Sequence, residues 1–298
     1  RTKRRGAKLI RKARTFLEMI KFEHTVFALP FAYMGAILGS VVMRGHLPSW
    51  AEIGWITLAM VGARSAAMGL NRLIDAAIDA KNPRTSNRAI PAGLLSAKEV
   101  ILFVIISFLL LFYAAYRLNA LSMQLLAVAV FFLVFYSYTK RFTWLCHVFL
   151  GMTIALAPLG GWVAVTGSVN LVALLFYMTV ACWTAGFDII YACQDVEFDR
   201  REGLHSVPSR FGIKKGLWIA RGFHLVTAAG FTTLLAMTEL SWWYLVGIVI
   251  AGFILYYEHQ LVKPDDLSRL NTAFFTMNGI LSTVVFVFTF IDVAVRYL

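Results

Sequence analysis

Apolar residues run through the chain in blocks of about 20, the length that carries a helix across the hydrocarbon core of a bilayer. Nine such blocks are read, over 21–43, 52–74, 98–117, 120–138, 143–165, 169–192, 215–237, 241–261 and 271–295. They predict an all-α fold, a polytopic bundle of nine transmembrane helices. Residues 1–20 form a basic N-terminal interfacial segment and 21–298 a single transmembrane domain. The connections after the odd-numbered blocks are short. Two of the others, 80–97 and 200–214, are long and rich in Pro, Gly, Ser and Arg, the composition of candidate lids.

Composition supports the membrane reading. The 298 residues are 59% hydrophobic and 15% charged, whereas soluble domains average about 45–50% apolar and about 25% charged. The net charge of +12 matters less than its placement. Lys and Arg crowd segment 1–21 and the connections 75–98, 139–142, 193–215 and 262–270, while the alternate connections hold only Arg44 and Arg117. The positive-inside rule then sets an N-in/C-out orientation, and the membrane is expected to be a prokaryotic plasma (inner) membrane. The bilayer, not a nucleic acid, is the expected partner of this charge. Eight of the first fourteen residues are Lys or Arg, and no small-residue cleavage site follows, so no signal peptide is read. Residues 1–20 read either as an amphipathic helix on anionic headgroups or as a basic tail. Cys146, Cys182 and Cys193 fit no pairing framework and read as small buried residues.

One stretch breaks the apolar pattern with chemistry. Asn71, Asp75 and Asp79 stand at i, i+4 and i+8 at the end of the second block, which stacks three oxygen-bearing side chains on one helix face. Carboxylates one turn apart repel, and acidic groups at membrane depth are expensive, so a bound cation and a function are expected. A second ladder, Asp195 and Asp199, closes the sixth block. Hard divalent cations take oxygen ligands, and Mg²⁺ joins one or two carboxylates to substrate phosphates. Asn71, Asp75, Asp79, Asp195 and Asp199 are the candidate metal ligands. Arg72, Arg84, Arg88, Lys140 and Arg141 crowd the same side and are candidate diphosphate ligands, although topology alone accounts for many basic residues there. Arg64 lies deeper, two turns before Asn71, facing a wet cavity or a carboxylate. Asp188 and Tyr191 share a face with the second ladder. Asp188 lies deeper than that ladder, a place for a proton-accepting carboxylate, with an ion pair to Arg64 or Lys21 as the structural alternative. Lys21 and His24 open the first block and are candidates for holding a second substrate. His147, His205, His224 and His259 are scattered and carry no signal, and periodicity cannot separate tunnel-lining apolar residues from lipid-facing ones. The pieces together read as ionisation of an allylic diphosphate in an apolar chamber, followed by capture of the cation.

These residues resemble the UbiA superfamily of intramembrane prenyltransferases. The resemblance rests on the N-x-x-x-D-x-x-x-D run Asn71–Asp75–Asp79, on the D-x-x-Y-x-x-x-D-x-x-x-D run Asp188–Tyr191–Asp195–Asp199, on the arginine loop Arg84–Arg88, and on Tyr138–Thr139–Lys140–Arg141. It covers nearly the whole chain. It implies a Mg²⁺-dependent transfer of a polyprenyl group from polyprenyl diphosphate to an aromatic hydroxy acid. Asp75, Asp195, Asp188 and Tyr191 would serve the chemistry, with Asp188 as base or orienter of the ring hydroxyl. Within the superfamily the chain is most similar to 4-hydroxybenzoate polyprenyltransferases of ubiquinone biosynthesis. The opening Phe22–Glu23–His24–Thr25 departs from them and is similar to a menaquinone branch that works through futalosine, whose acceptor would be 1,4-dihydroxy-6-naphthoate.

Three rivals remain on residues alone. An ion-coupled transporter uses intramembrane carboxylates but needs no paired aspartates beside an arginine loop. A phospholipid head-group transferase needs a D-G-x-x-A-R core that is absent from this chain. The same chemistry on a porphyrin or glycerol lipid differs only in the acceptor region.

Overall fold

The structure is a computed structural model that describes residues 2–19 and 28–297. The described residues form helices α1 (Thr2–Met19), α2 (Leu29–Arg44), α3 (Trp50–Ile74), α4 (Ala76–Lys81), α5 (Ala97–Leu118), α6 (Ala120–Thr139), α7 (Cys146–Thr166), α8 (Leu171–Ala192), α9 (Val196–Arg201), α10 (Val207–Phe211), α11 (Ile213–Met237), α12 (Trp242–Leu261) and α13 (Asn278–Tyr297). A 3-10 turn, Cys193–Asp195, joins α8 to α9, and a π-helical turn, Thr272–Met277, leads into α13. There is no strand among the described residues, only one isolated bridge between Lys263 and Asp266.

Eight helices, α3, α5 to α8 and α11 to α13, are long and apolar enough to cross a membrane. The first expected span is seen as the 16-residue α2, and its opening, with Lys21 and His24, lies outside the described residues. The sequence sets the helix ends by local chemistry. Ser49 and Ser96 each accept from a backbone N–H while Glu52 and Glu99 reach back, closing capping boxes on α3 and α5. Gly45 and Gly167 end α2 and α7 in the left-handed conformation, φ 70° and 62°. Outward faces carry apolar side chains that a bilayer would cover, such as Leu109, Leu225 and Phe253. Trp50 at the start of α3 and Trp242 at the start of α12 are exposed, where indole rings settle at a membrane interface. The chain forms an integral membrane bundle.

Inside the bundle, α7 packs on α2 and α8, α8 on α11, α3 on α5, and α12 on α13. The α2–α7 seam is backbone against backbone. A Cβ on Gly35 would stand 2.0 Å from the Pro158 carbonyl oxygen, and one on Gly161 would stand 2.1 Å from that of Ala32. Small residues give such close approach where no hydrophobic effect drives helices together in lipid. Next to the seam, Phe31 meets Trp183 edge-on at 5.0 Å and Phe176 at 5.9 Å between ring centroids, a favoured aromatic geometry. Asp292, buried in α13, is a structural acid. It accepts from Ser241 N–H, Ser241 Oγ and Tyr244 N–H, each at 3.0 Å, and so caps α12 from a neighbouring helix.

On the other side α1 lies against α5. Phe16 stacks on Phe103 at 4.9 Å, Met19 is buried beside Leu95 and Val100, and Lys12 pairs with Glu99. The same apolar cluster holds Ala89 and Ile90 of the arginine-bearing loop.

Candidate active site

Both acidic ladders sit where a membrane helix stops being regular. α3 ends at Ile74, Asp75 adopts φ −92°, ψ 2°, and α4 restarts at Ala76. The expected single face is therefore built from two helices. It survives because the backbone ladder carries over the break: Asp75 N–H bonds Asn71 O at 3.0 Å, and Asp79 N–H bonds Asp75 O at 2.8 Å. The second ladder is interrupted in the same way, by the 3-10 turn that ends in Asp195. Asp188 and Tyr191 remain on α8, while Asp199 rides on the short α9.

One cavity of about 480 Å³ receives both ladders. At its polar end stand Asn71, Arg72, Asp75, Asp79, Arg84, Arg88, Lys140, Asp188, Tyr191, Asp195 and Asp199. The remainder is mostly apolar, with Ala59, Ala63 and Ala67 on α3, Leu125 and Ala129 on α6, and Ala157 and Gly160 on α7. A tunnel that periodicity could not distinguish from lipid-facing surface is thus lined largely by small and aliphatic residues.

The carboxylates are densely partnered. Asp75, 2% exposed, accepts from Asn71 Nδ2 at 3.0 Å and pairs with Lys140 Nζ at 3.1 Å. Arg141 stands 3.5 Å from its other oxygen, but points mainly at the Ile74 carbonyl (2.5 Å) and does not line the cavity. Arg88 NH1 donates to both oxygens of Asp79 at 2.7 Å. Arg84 grips Asp195 bidentately, Nε to Oδ1 at 3.0 Å and NH2 to Oδ2 at 2.6 Å. Burial opposes the Arg84 charge, but the bonds to Asp195 outweigh it and hold the guanidinium above its ordinary pKa. Asn82 also reaches Asp195, at 3.4 Å. The loop after the first ladder therefore lies across the second, which brings the two together. Arg72 is buried and bonds Asn71 Oδ1 at 3.3 Å.

Arg64 lines the cavity at a deeper level. Its Nε is buried without a hydrogen-bond partner, and it makes no ion pair among the described residues. The expected pairing of Asp188 with Arg64 or Lys21 does not hold for Arg64, and Lys21 is outside the described residues. Asp188 Oδ2 instead meets His147 Nδ1 at 2.7 Å. His147, silent in the sequence, is thus part of the site. Ser206 was likewise unsignalled. Its hydroxyl donates to Asp199 Oδ2 at 3.1 Å. Glu202, just beyond the second ladder, pairs with Lys81 at 3.0 Å.

A further part of the site comes from the π-helical turn. Such turns free carbonyls and often mark functional sites. Asn278 Nδ2 serves the freed Ala273 and Phe274 carbonyls at 3.2 and 3.0 Å, while its Oδ1 accepts from Trp183 Nε1 at 2.8 Å. The turn sets Phe274 on the Tyr191 ring at 4.0 Å and Phe275 edge-on at 5.9 Å, and both line the cavity. Asn278→Leu strands these buried groups. It is expected to cost about 1–3 kcal/mol, read as a lower unfolding temperature in detergent by intrinsic fluorescence.

The donor set fits a hard cation. The side chains facing the cavity between the ladders offer oxygens, and Asp75 Oδ1 is buried without a hydrogen-bond partner. Among the described residues no three His, Cys, Asp or Glu converge on one point as a complete cage. That agrees with the usual mode of Mg²⁺, held by one or two carboxylates and completed by substrate phosphates.

The chain matches the UbiA prenyltransferase family over residues 28–280. It is 35% identical over 210 residues to the mitochondrial 4-hydroxybenzoate polyprenyltransferase of Arabidopsis thaliana, a match covering 70% of this chain and 51% of that protein, so it spans about half the length of that relative. It is 27% identical over 271 residues to the 4-hydroxybenzoate octaprenyltransferase of Vibrio campbellii, covering 90% of this chain and 93% of that one. Its fold matches the apo structure of a UbiA homologue from Aeropyrum pernix K1 with a TM-score of 0.82 at 29% identity, over 91% of this chain and 98% of that one. It also matches a UbiA homologue from Archaeoglobus fulgidus bound to GPP and Mg²⁺, with a TM-score of 0.73 at 18% identity over 94% and 99%, a likeness of fold alone. With twinned aspartate ladders at the mouth of one intramembrane chamber and a family match over most of its length, this chain belongs to the UbiA prenyltransferase family.

Proposed function

We propose that this protein transfers a polyprenyl group from polyprenyl diphosphate to an aromatic hydroxy acid of the 4-hydroxybenzoate type, in quinone biosynthesis. The observation that carries the reading is the polarity of the cavity that receives both ladders, with carboxylates and cations at one end and mostly small apolar residues along the rest. The names of the curated relatives support the acceptor class. The distribution of Lys and Arg supports an N-in orientation with the site at the cytoplasmic face, and the membrane we propose is a prokaryotic inner membrane.

Asn71, Asp75, Asp79, Asp195 and Asp199 would hold Mg²⁺, which when bound supplies charge neutralisation for the departing diphosphate. Arg72, Arg84, Arg88 and Lys140 bind its oxygens, with Arg141 steadying the end of α3. The C–O bond breaks, and its electron pair leaves with the diphosphate. The apolar wall excludes water from the allylic cation. A ring carbon beside the hydroxyl bonds the allylic carbon, and the proton on that ring carbon passes to Asp188, restoring aromaticity. Tyr191, held between Arg84 (NH1 to OH, 3.4 Å) and Phe274, closes the chamber around the reacting atoms.

Arg64 binds the acceptor carboxylate, which would give its buried, unpaired Nε a partner. Arg64→Leu is expected to raise the acceptor KM roughly 10- to 100-fold, the worth of a charge-assisted hydrogen bond. The KM for the diphosphate should stay put, and a neutral phenol should react as with wild type. The overall reading is tested by giving membranes geranyl diphosphate and Mg²⁺ with 4-hydroxybenzoate and 1,4-dihydroxy-6-naphthoate in competition. A prenylated 4-hydroxybenzoate is expected. A prenylated naphthoate would move the acceptor to the menaquinone branch, and no prenylated product would remove the reading.

A further inference from the structure

The contact between Asp188 and His147 is one link of a longer chain. His147 is the second residue of α7 and is 2% exposed. Its Nε2 lies 3.1 Å from the backbone N of Val207, the first residue of α10. A backbone N–H can only donate, so Nε2 must accept. The proton of the neutral ring is then on Nδ1, where it is donated to Asp188 Oδ2 at 2.7 Å. The Val207 N–H thus selects one tautomer, and that tautomer fixes which way the Asp188 carboxylate turns.

The loop carrying Val207 is itself pinned. His205 N–H donates to the Lys140 carbonyl at 2.7 Å, and Cys146 Sγ lies 3.4 Å from the His205 carbonyl. Ser206, between them, donates to Asp199. So one segment, 205–207, touches the second ladder through Ser206, the residue that pairs with Asp75 through the Lys140 backbone, and Asp188 through His147.

From this geometry we infer that His147 is a positioning residue for the transfer step: as the Nδ1–H tautomer it holds Asp188 by one oxygen and leaves the other facing the cavity to take the ring proton. It does not touch substrate. The inference rests on the role given to Asp188 above.

Two substitutions at His147 separate its two bonds. Asn places its amide near the Nδ1 position and keeps a donor for Asp188, while Gln reaches the Nε2 position and keeps an acceptor for Val207. In the purified full-length enzyme, His147→Gln is expected to lower kcat about 10- to 100-fold, the usual effect of removing an orienting hydrogen bond from a functional group. The KM for prenyl diphosphate should be little changed. His147→Asn should recover most of that kcat, and His147→Gln should add little to Asp188→Asn in the double variant. A residue that merely pins α10 gives the opposite order, with Gln tolerated and Asn damaging. That order, or a full additive loss in the double variant, overturns the inference. If His147→Gln does not fold, His147→Asn decides alone, since a kcat as low as that of Asp188→Asn overturns it and a kcat near wild type supports it. Wild-type turnover by Asp188→Asn itself would instead remove the underlying reading.

Discussion

Asp195→Asn is expected to lower turnover by about 10³-fold, the scale on which electrostatic stabilisation of a developing charge is lost, and Asp75→Asn should do the same. Asparagine keeps the size of the side chain but cannot carry the negative charge that a hard cation needs. The loss should appear as product formation per inserted enzyme at saturating Mg²⁺, with both variants still recovered from membranes as monodisperse protein. Asp195→Asn has a second effect, because Arg84 loses its bidentate partner and the loop across the site loses its anchor. Wild-type rates for either variant in the presence of Mg²⁺ would sink the metal-bridged diphosphate and bring a transport role forward.

Asp188→Asn is expected to lower kcat by about 10²–10⁴-fold, the contribution of a positioned proton acceptor, while the affinity for prenyl diphosphate changes little. The split follows from position. Asp188 lies on the regular part of α8, before the 3-10 turn that begins the second ladder, and it meets a histidine rather than a lysine or arginine among the described residues. A neutral amide there can still accept from His147 through its oxygen, so the fold should tolerate it. Isothermal binding of a non-ionisable diphosphate analogue beside single-turnover rates would separate the two steps, and an unchanged kcat would take Asp188 out of the mechanism.

The bundle was legible because lipid forces hydrophobicity into blocks whose length is set by the bilayer. Seven of the eight long spans begin and end within three residues of the expected bounds, the eighth, Leu171–Arg201, runs on past 192 through the second ladder, and capping serines mark two of the starts. The ladders were legible because oxygen ligands one turn apart are costly without a use. What escaped depends on contacts across the fold. His147 and Asp188 are 41 positions apart and meet only because α7 packs along α8. Ser206 reads as an ordinary loop serine until the loop docks beside Asp199. The π-helical turn has no pattern of its own. Its signal is one asparagine at the foot of a membrane helix, and that signal is shared with any cap.

The seam where Gly35 and Gly161 bring two backbones together leaves no side chain able to yield. One wall of the chamber is consequently inelastic: α7 cannot retreat from α2, and bulk added there has nowhere to go. Isoprenoid tails of different girth or length must then be absorbed by the opposite wall, where α3, backed by α5, and α6 present alanine methyls. Selection for a longer or shorter quinone tail would therefore leave its marks on α3 and α6 and pass over the glycines.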